Sequence, residues 1–526
     1  MMDADLFLFP CERNTVMLAA GLTSIDYAIV ALYVLGMVVL GSYFARGHKG
    51  SESYFLAGRS MGWFPIAVSL VATLVSTTSF LAYPSEAYGH DMKIVAYIFG
   101  VPLGLLVVQR AFVPFYMKLN ITSAYEYIER RFNVGLRAVT SILFVVMRLI
   151  WMAVAVHAAS LAVFTMVGLK DPSHMPKIIF VIGIMATIYV TVGGMKAVIW
   201  TDVVQFFIFF GALAGVCVYV AFSLDGGLEE IITVCRDAGK FDVISKEFFT
   251  PDPTIRITFW AVTLNTFVWI LATYGSDQVV IQRYLSTRNV RQAKASLWGN
   301  FFFGDIFLTI FQVGTGLALF AFYQHFTQAL PADIEADKVF PYFIANELPV
   351  GISGLILAAL VAAIMSSIDS GINSIATVFT IDFYRRFSVK KPSQKAELTF
   401  ARALTPILGL LVCLFSAYLV GGAGSNIIER SSRAAGFLVG PILGIFILGM
   451  FLPRANSPGA VIGAILGILS GIVVAFGHRF TEDLGVMFGF EWRSPELSFL
   501  LVLPASALAT VVFGALASFL GSRRMS

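Results

Sequence analysis

Thirteen apolar runs recur along the chain, near 24-46, 63-88, 93-116, 136-166, 177-194, 197-223, 256-281, 296-324, 351-382, 398-421, 426-452, 457-477 and 497-520. Each is close to the roughly 20 residues that an α-helix needs to cross a hydrocarbon core of about 30 Å. Of 526 residues, 58% are hydrophobic and 13% charged, with a mean hydropathy of +0.82. A soluble domain has an apolar share of about 45 to 50%. The chain therefore reads as an all-α polytopic membrane protein whose first partner is the lipid bilayer.

Charge carries topology here. A formal net charge of +4 is small for this length and argues against a nucleic-acid partner. With the N-terminus outside, alternate loops hold Arg46, Lys49 and Arg59; Lys118, Arg130, Arg131 and Arg137; Arg283, Arg288, Arg291 and Lys294; Arg385, Arg386, Lys390 and Lys391; and Arg523 with Arg524. These are the cytoplasmic loops by the positive-inside rule. The opposite loops are mixed or acidic, as in 224-255 with Glu229, Glu230 and Asp237. A C-terminus inside follows, with no soluble domain appended. The acidic opening MMDADLFLFPCERN lacks the basic region of a cleaved signal peptide.

Four cysteines, Cys11, Cys217, Cys235 and Cys413, show no metal-ligand spacing, and the six histidines are dispersed. A bridge between Cys11 and Cys235 is one open reading. No nucleophile, base and orienting group stand together, so an enzyme is disfavoured.

The segment AAIMSSIDSGINSIATVFTIDFYRR, from Ala362 to Arg386, sets hydroxyls and a carboxylate in a run apolar enough to span. At roughly 100° per residue, Ser366, Asp369, Ser370, Asn373, Ser374 and Thr377 share one wedge with Ser367 at its edge. An ionisable group at bilayer depth is costly and marks function by default. Hard oxygen ligands suit a hard cation.

Two spans read as broken. ATLVSTTSFLAYP, near 72-84, concentrates β-branched and hydroxyl residues before Pro84, which interrupts helical hydrogen bonding. ATYGSDQ, from Ala272 to Gln278, does the same with Gly275, Ser276 and Asp277. Discontinuous helices in matching positions of two halves point to a transporter site at the midplane. The breaks lie five spans apart, which suggests inverted five-helix repeats.

Other intramembrane charges have two readings each. Asp202, in KAVIWTDVVQFF, either caps a helix start or serves as an ion ligand. Asp305, in NFFFGDIFLTIF, is either structural or the partner of a base. Arg148, in FVVMRLIWMAV, either pairs with an acid on another helix or meets an anionic substrate. Glu86 faces the outer vestibule. The aromatics Tyr83, Tyr88, Tyr97, Trp151, Trp269 and Tyr274 either pack or wall a solute cavity.

The serine-rich helix resembles the signature helix of the sodium:solute symporter family, which contains bacterial sugar, proline and sialic-acid symporters and the animal sodium/glucose carriers. YFLAGRSMGW, YPSEAYG, TSAYEYIERRFN, TVGGMKAVIWTDVVQ, SDQVVIQRYLSTRNVRQAK and GFLVGPILGIFILGMFLPRANSPGAVIG extend the likeness over nearly the whole chain. The resemblance implies a leucine-transporter-like fold. Its expected parts are a short extracellular N-terminus (1-23), a leading helix (24-46) and a first five-helix repeat (63-223). An extracellular loop (224-255), a second repeat (256-452), two trailing helices (457-520) and a cytoplasmic tail (521-526) follow.

Carried over position by position, the resemblance implies a sodium site of the Ala72, Val75 and Ala363 carbonyls with the Ser366 and Ser367 hydroxyls. It implies a second sodium among Asp202, Asp369 and Ser370, although a serine is commoner than an aspartate at the position of Asp369, which instead titrates in one reading. Solute-pocket candidates are Ser76, Ser79, Tyr97, Arg148, Trp151, Thr273 and Tyr274. The ligands of galactose-type relatives are replaced here by Leu74, Ser79 and Ile98, which disfavours such a pocket. YPSEAY is similar to carriers of monocarboxylates, vitamins and halides, and TSAYEYIERRFN to the sialic-acid branch. The expected activity is sodium-coupled import of a small solute across the plasma or inner membrane, leaning towards an organic anion. A sodium/sugar symporter is the alternative, and a membrane sensor or passive channel the alternatives of other classes.

Overall fold

The computed structural model describes residues 21–45, 51–190, 194–331, 333–418, 427–488 and 494–522. Among these residues nine helices are long and apolar enough to span a membrane, and a bent pair makes a tenth. The helices Met175–Val190, Phe259–Gly275 and Ile427–Phe451 occupy the remaining runs. Cys11, Arg46, Lys49, Arg523 and Arg524 lie outside the described residues.

Burial ranks the helices by depth. The most apolar window of the span Ile352–Phe387 is 89% buried within the protein, against 11% for the leading span Ser24–Phe44. The serine helix (Ile352–Val378) is thus the central post, and the leading helix faces lipid. Asp26 ties the two together: its Oδ1 accepts the backbone N–H groups of Gly351 and Gly354 at 2.8 Å each. Those are donors that a helix start leaves without intrahelical partners.

The first break falls where the β-branched and hydroxyl residues crowd, earlier than Pro84. The half Trp63–Leu74 ends as Val75 gives its N–H to Val71 O at 2.8 Å, Ser76 is extended, and Thr77–Gly89 departs at 67°. β-Branched residues lose side-chain freedom in a helix, and serine favours the position just before one. Pro84 itself sits inside the second half. Gly316 of Thr309–His325 packs on it so closely that a Cβ would lie 2.2 Å from the Pro84 carbonyl oxygen.

The second break is at Ser276 and Asp277, between Phe259–Gly275 and the short helix Gln278–Leu285. Asp277 caps that helix through Val279 N–H at 2.9 Å. Every residue of Gln278–Leu285 is buried. Gln278 bridges Ala124 N–H and Thr122 O, and Gln282 reaches Phe55 O at 2.7 Å. This corrects the reading of Arg283 as a cytoplasmic loop cation: charge counting assumes a solvated loop, whereas here the chain turns back into the protein.

Candidate functional site

Both halves of the first broken helix pack against the serine helix. Ser366 and Ser367 give their hydroxyl protons to Ala363 O at 3.0 and 3.1 Å. Their oxygen lone pairs therefore remain for another partner. Ala72 and Ala363 lie in one buried cluster, against which Val75 packs. Ala72 and Val75 lie at the end of Trp63–Leu74, where a helix leaves carbonyls without a following turn, and Ala363, Ser366 and Ser367 lie inside the serine helix that packs on it.

One turn further along the serine helix a charged network fills the core. Asp202 Oδ2 accepts Ser69 Oγ at 2.5 Å, Thr73 Oγ1 at 3.4 Å and Arg283 Nη2 at 3.0 Å, with both ion-pair side chains 0% exposed. Arg283 also bonds Ser69 Oγ through Nε at 3.0 Å, Val279 O through Nη1 at 3.0 Å, and Ser370 Oγ through Nη2. Thr73 Oγ1 meets Ser370 Oγ at 3.1 Å, and Ser370 gives a hydrogen bond to Asp369 Oδ1 at 3.1 Å. Asp202, Asp369 and Ser370 are brought together as the sequence suggests, with a guanidinium already among them. Asp202 is no simple helix cap: it lies inside Met195–Ser223, away from its start.

Beside the first break opens a cavity of about 250 Å³. Ser76, Ser79, Tyr97, Trp151 and Tyr274 line it as expected, together with Leu74, but Ile98 does not. Arg148 and Thr273 instead line a smaller adjoining cavity, and Trp151 and Trp269 border both. Those two indoles stack with centroids 5.5 Å apart and planes 27° apart, forming a floor between the cavities. Beneath it Arg148 Nη2 pairs with Asp277 Oδ2, so the second break supplies the acid that its own helix lacks.

Asp305, which the sequence left between a structural role and the partner of a base, lines the main cavity together with Asn300, Thr309 and Gln312, which the sequence reading missed. Asp305, Thr309 and Gln312 are spaced four and three apart, the spacing of one helical face, and that was the available signal. Asn300 Nδ2 donates to Tyr274 OH at 2.7 Å and Gln312 Nε2 to Ser79 O at 3.2 Å. Tyr97 OH bonds the backbone carbonyl of Asp305 at 3.1 Å and also Thr309 Oγ1.

Ion pairs close both ends. At one end Arg256 holds Glu86 at 2.6 and 2.9 Å and Glu429 at 2.7 Å, which replaces the reading of Glu86 as a residue that only faces a vestibule. At the other, Arg137 pairs with Asp382 and, at 2.6 Å, with Glu129, which also takes Arg386 at 2.8 Å. Arg131 reaches the carbonyls of Gly449, Leu452, Pro453 and Ala455 at 2.9 to 3.2 Å.

Two broken helices beside a cavity are the arrangement of a secondary carrier. The chain belongs to the sodium:solute symporter family, whose model matches residues 54–467. It is similar to the sodium/sialic acid symporter of Aliivibrio fischeri, at 33% identity over 88% of this chain and 90% of that one. It is also similar to the sodium-dependent multivitamin transporter of Oryctolagus cuniculus, at 34% over 87% and 71%. A solved structure, a substrate-bound outward-open Na+-coupled sialic acid symporter, matches with a TM-score of 0.81 and 30% identity over 95% of this chain and 98% of that one. A nucleobase-cation-symport-1 family transporter, at 14% identity and a TM-score of 0.53, shares the fold. The fold is the leucine-transporter-like one, and the protein is an integral membrane, sodium-coupled symporter of a small solute.

Proposed function

We propose that the protein imports a small organic anion on the inward sodium gradient, acting as a carrier rather than an enzyme. The observation that carries the anion is the start of Thr77–Gly89. Ser76 precedes this helix without a side-chain cap, and the buried Ser76 and Thr77 hydroxyls find no partner among the described residues. A free helix start with uncommitted hydroxyls at the cavity wall is a seat for a carboxylate. Sialic acid, the solute of relatives that span most of this chain, has one.

Sodium sits beside it, on the Ala72, Val75 and Ala363 carbonyls and the Ser366 and Ser367 hydroxyls. A second sodium at Asp202, Asp369 and Ser370 has to share that space with Arg283. Arg148 holds the second break rather than the solute. Sodium favours the outward-open state to the extent that it binds that state better, and the N-terminus lies outside with the basic ends of the spans in the cytoplasm. Replacing Ser366 and Ser367 together by Ala should reduce sodium-driven uptake of sialic acid into proteoliposomes at least tenfold with the yield of folded protein kept. Unchanged sodium dependence would end this assignment.

A sugar is the second reading, because among the described residues that line the main cavity there is no Lys, Arg or His. Uptake of glucose in preference to sialic acid would favour it. Accumulation of solute against its gradient separates either carrier from a passive channel.

A further inference from the structure

We propose that Asp305 is the acceptor end of the solute site, and that the solute therefore carries hydroxyl, amide or ammonium donors at the end remote from its anionic group. This rests on the reading of the cavity as a solute site. Asp305 is the one formally charged side chain among the described residues that line that cavity, and it is half-buried there. Its Oδ2 is shut from solvent and accepts no hydrogen bond from any described residue.

Three of the neighbouring side chains have committed a donor elsewhere, and the Tyr83 and Tyr274 hydroxyls on the same cavity do not reach Oδ2. Tyr97 OH goes to the Asp305 backbone carbonyl and Thr309, Asn300 Nδ2 to Tyr274 and Gln312 Nε2 to Ser79. What this wall still offers is acceptors: the Asp305 carboxylate, and one turn earlier Asn300 Oδ1, also buried and without a partner among the described residues. Asp305 lies in Phe301–Leu308, which is wound as a π-helix, a form frequent at functional sites, and Asn300 directly precedes it.

A carboxylate in an apolar cavity needs a donor. A solute that fills the cavity without supplying one leaves the buried Oδ2 unpaired, whereas a polyhydroxylated solute brings the donor it lacks. The two features differ in sign: the helix start at Ser76 receives the anionic group, and Asp305 repels it, which turns the solute's donors rather than its anionic group towards Asp305. A site built to bond hydroxyl groups rejects analogues that lack them by orders of magnitude, because its buried acceptors are left unpaired.

The test uses the full chain in proteoliposomes with an inward sodium gradient. Sialic acid, gluconate and glucose serve as donor-rich probes; propionate and iodide serve as donor-free anions. Expected are uptake of a donor-rich probe with kcat/KM at least about 100-fold above either donor-free anion, and a KM for that probe raised at least tenfold in Asp305→Asn at unchanged sodium dependence. Asp305→Glu should recover part of the loss. Preferred uptake of propionate or iodide overturns the proposal, as does an Asp305→Asn variant with wild-type KM, or a panel in which no donor-rich probe is carried. If Asp305→Asn fails to fold, the wild-type ranking of the five probes decides alone. Donor-selective, Asp305-dependent uptake that ignores the sodium gradient would overturn the sodium reading and leave this one standing.

Discussion

Replacing Arg283 by Met removes the cation from a core where neither it nor Asp202 touches solvent. Two unit charges 3.0 Å apart attract by roughly 5 kcal/mol at an effective dielectric constant of about 20. Desolvation of both groups offsets much of that, so the intact pair contributes little net stability. Removing one member is different, because it strands the other: Asp202 would keep only Ser69 at 2.5 Å and Thr73 at 3.4 Å. A stranded buried charge costs about 3–5 kcal/mol. Arg283→Met and Asp202→Asn should each destabilise by that amount, and the double variant should cost about 2–3 kcal/mol less than their sum, as expected for contacting partners. The assay is a double-mutant cycle in detergent micelles, with unfolding followed by tryptophan fluorescence and repeated in sodium and in choline chloride. Additivity to within about 0.5 kcal/mol would refute the pairing, as would a single variant as stable as the wild type.

Arg148→Lys keeps the charge beneath the tryptophan floor but loses the planar fork; a melting temperature lowered by several degrees with at most a threefold change in KM is expected, and a tenfold rise in KM alone would return Arg148 to the solute. If Asp202 and Asp369 share a second sodium, Asp202→Asn and Asp369→Asn should each lower the sodium Hill coefficient of transport towards one, and a wild-type coefficient of one excludes that site. Arg256→Gln removes the ion pairs to Glu86 and Glu429 at one end and should raise the rate at which a cysteine introduced at Ser79 reacts with an external thiol reagent; unchanged labelling would show that Arg256 is no gate. Burial works to raise the Glu129 carboxyl, but hydrogen bonds from Arg137 and Arg386 outweigh it and hold the pKa below the ordinary 4.5. Its contribution is therefore complete above that pH and is lost as pH falls through the lowered value. Melting temperature should drop on that acid side by less in Glu129→Gln than in wild type, and parallel pH profiles would refute this contribution of Glu129.

Local rules carried the sequence a long way. Bilayer thickness sets the length of every span, so the thirteen runs, the serine wedge of the Ile352–Val378 helix and both breaks could be read from short windows. The positions of Ser76 and Ser79 follow from the first break and that of Tyr274 from the second, whereas Tyr97 and Trp151 reach the cavity from other helices. Pairing could not be read that way, because it depends on which helices meet. Arg148 and Asp277 are 129 positions apart, and Asp202 and Arg283 81. Only packing makes the first a partnership across the second break and turns the second from a loop cation into the centre of the ion network. Asp305 shows the same limit from the other side. Its spacing to Thr309 and Gln312 announces a polar face, but that its Oδ2 lacks a partner among the described residues is a property of the cavity, decided by which neighbouring donors packing brings within reach.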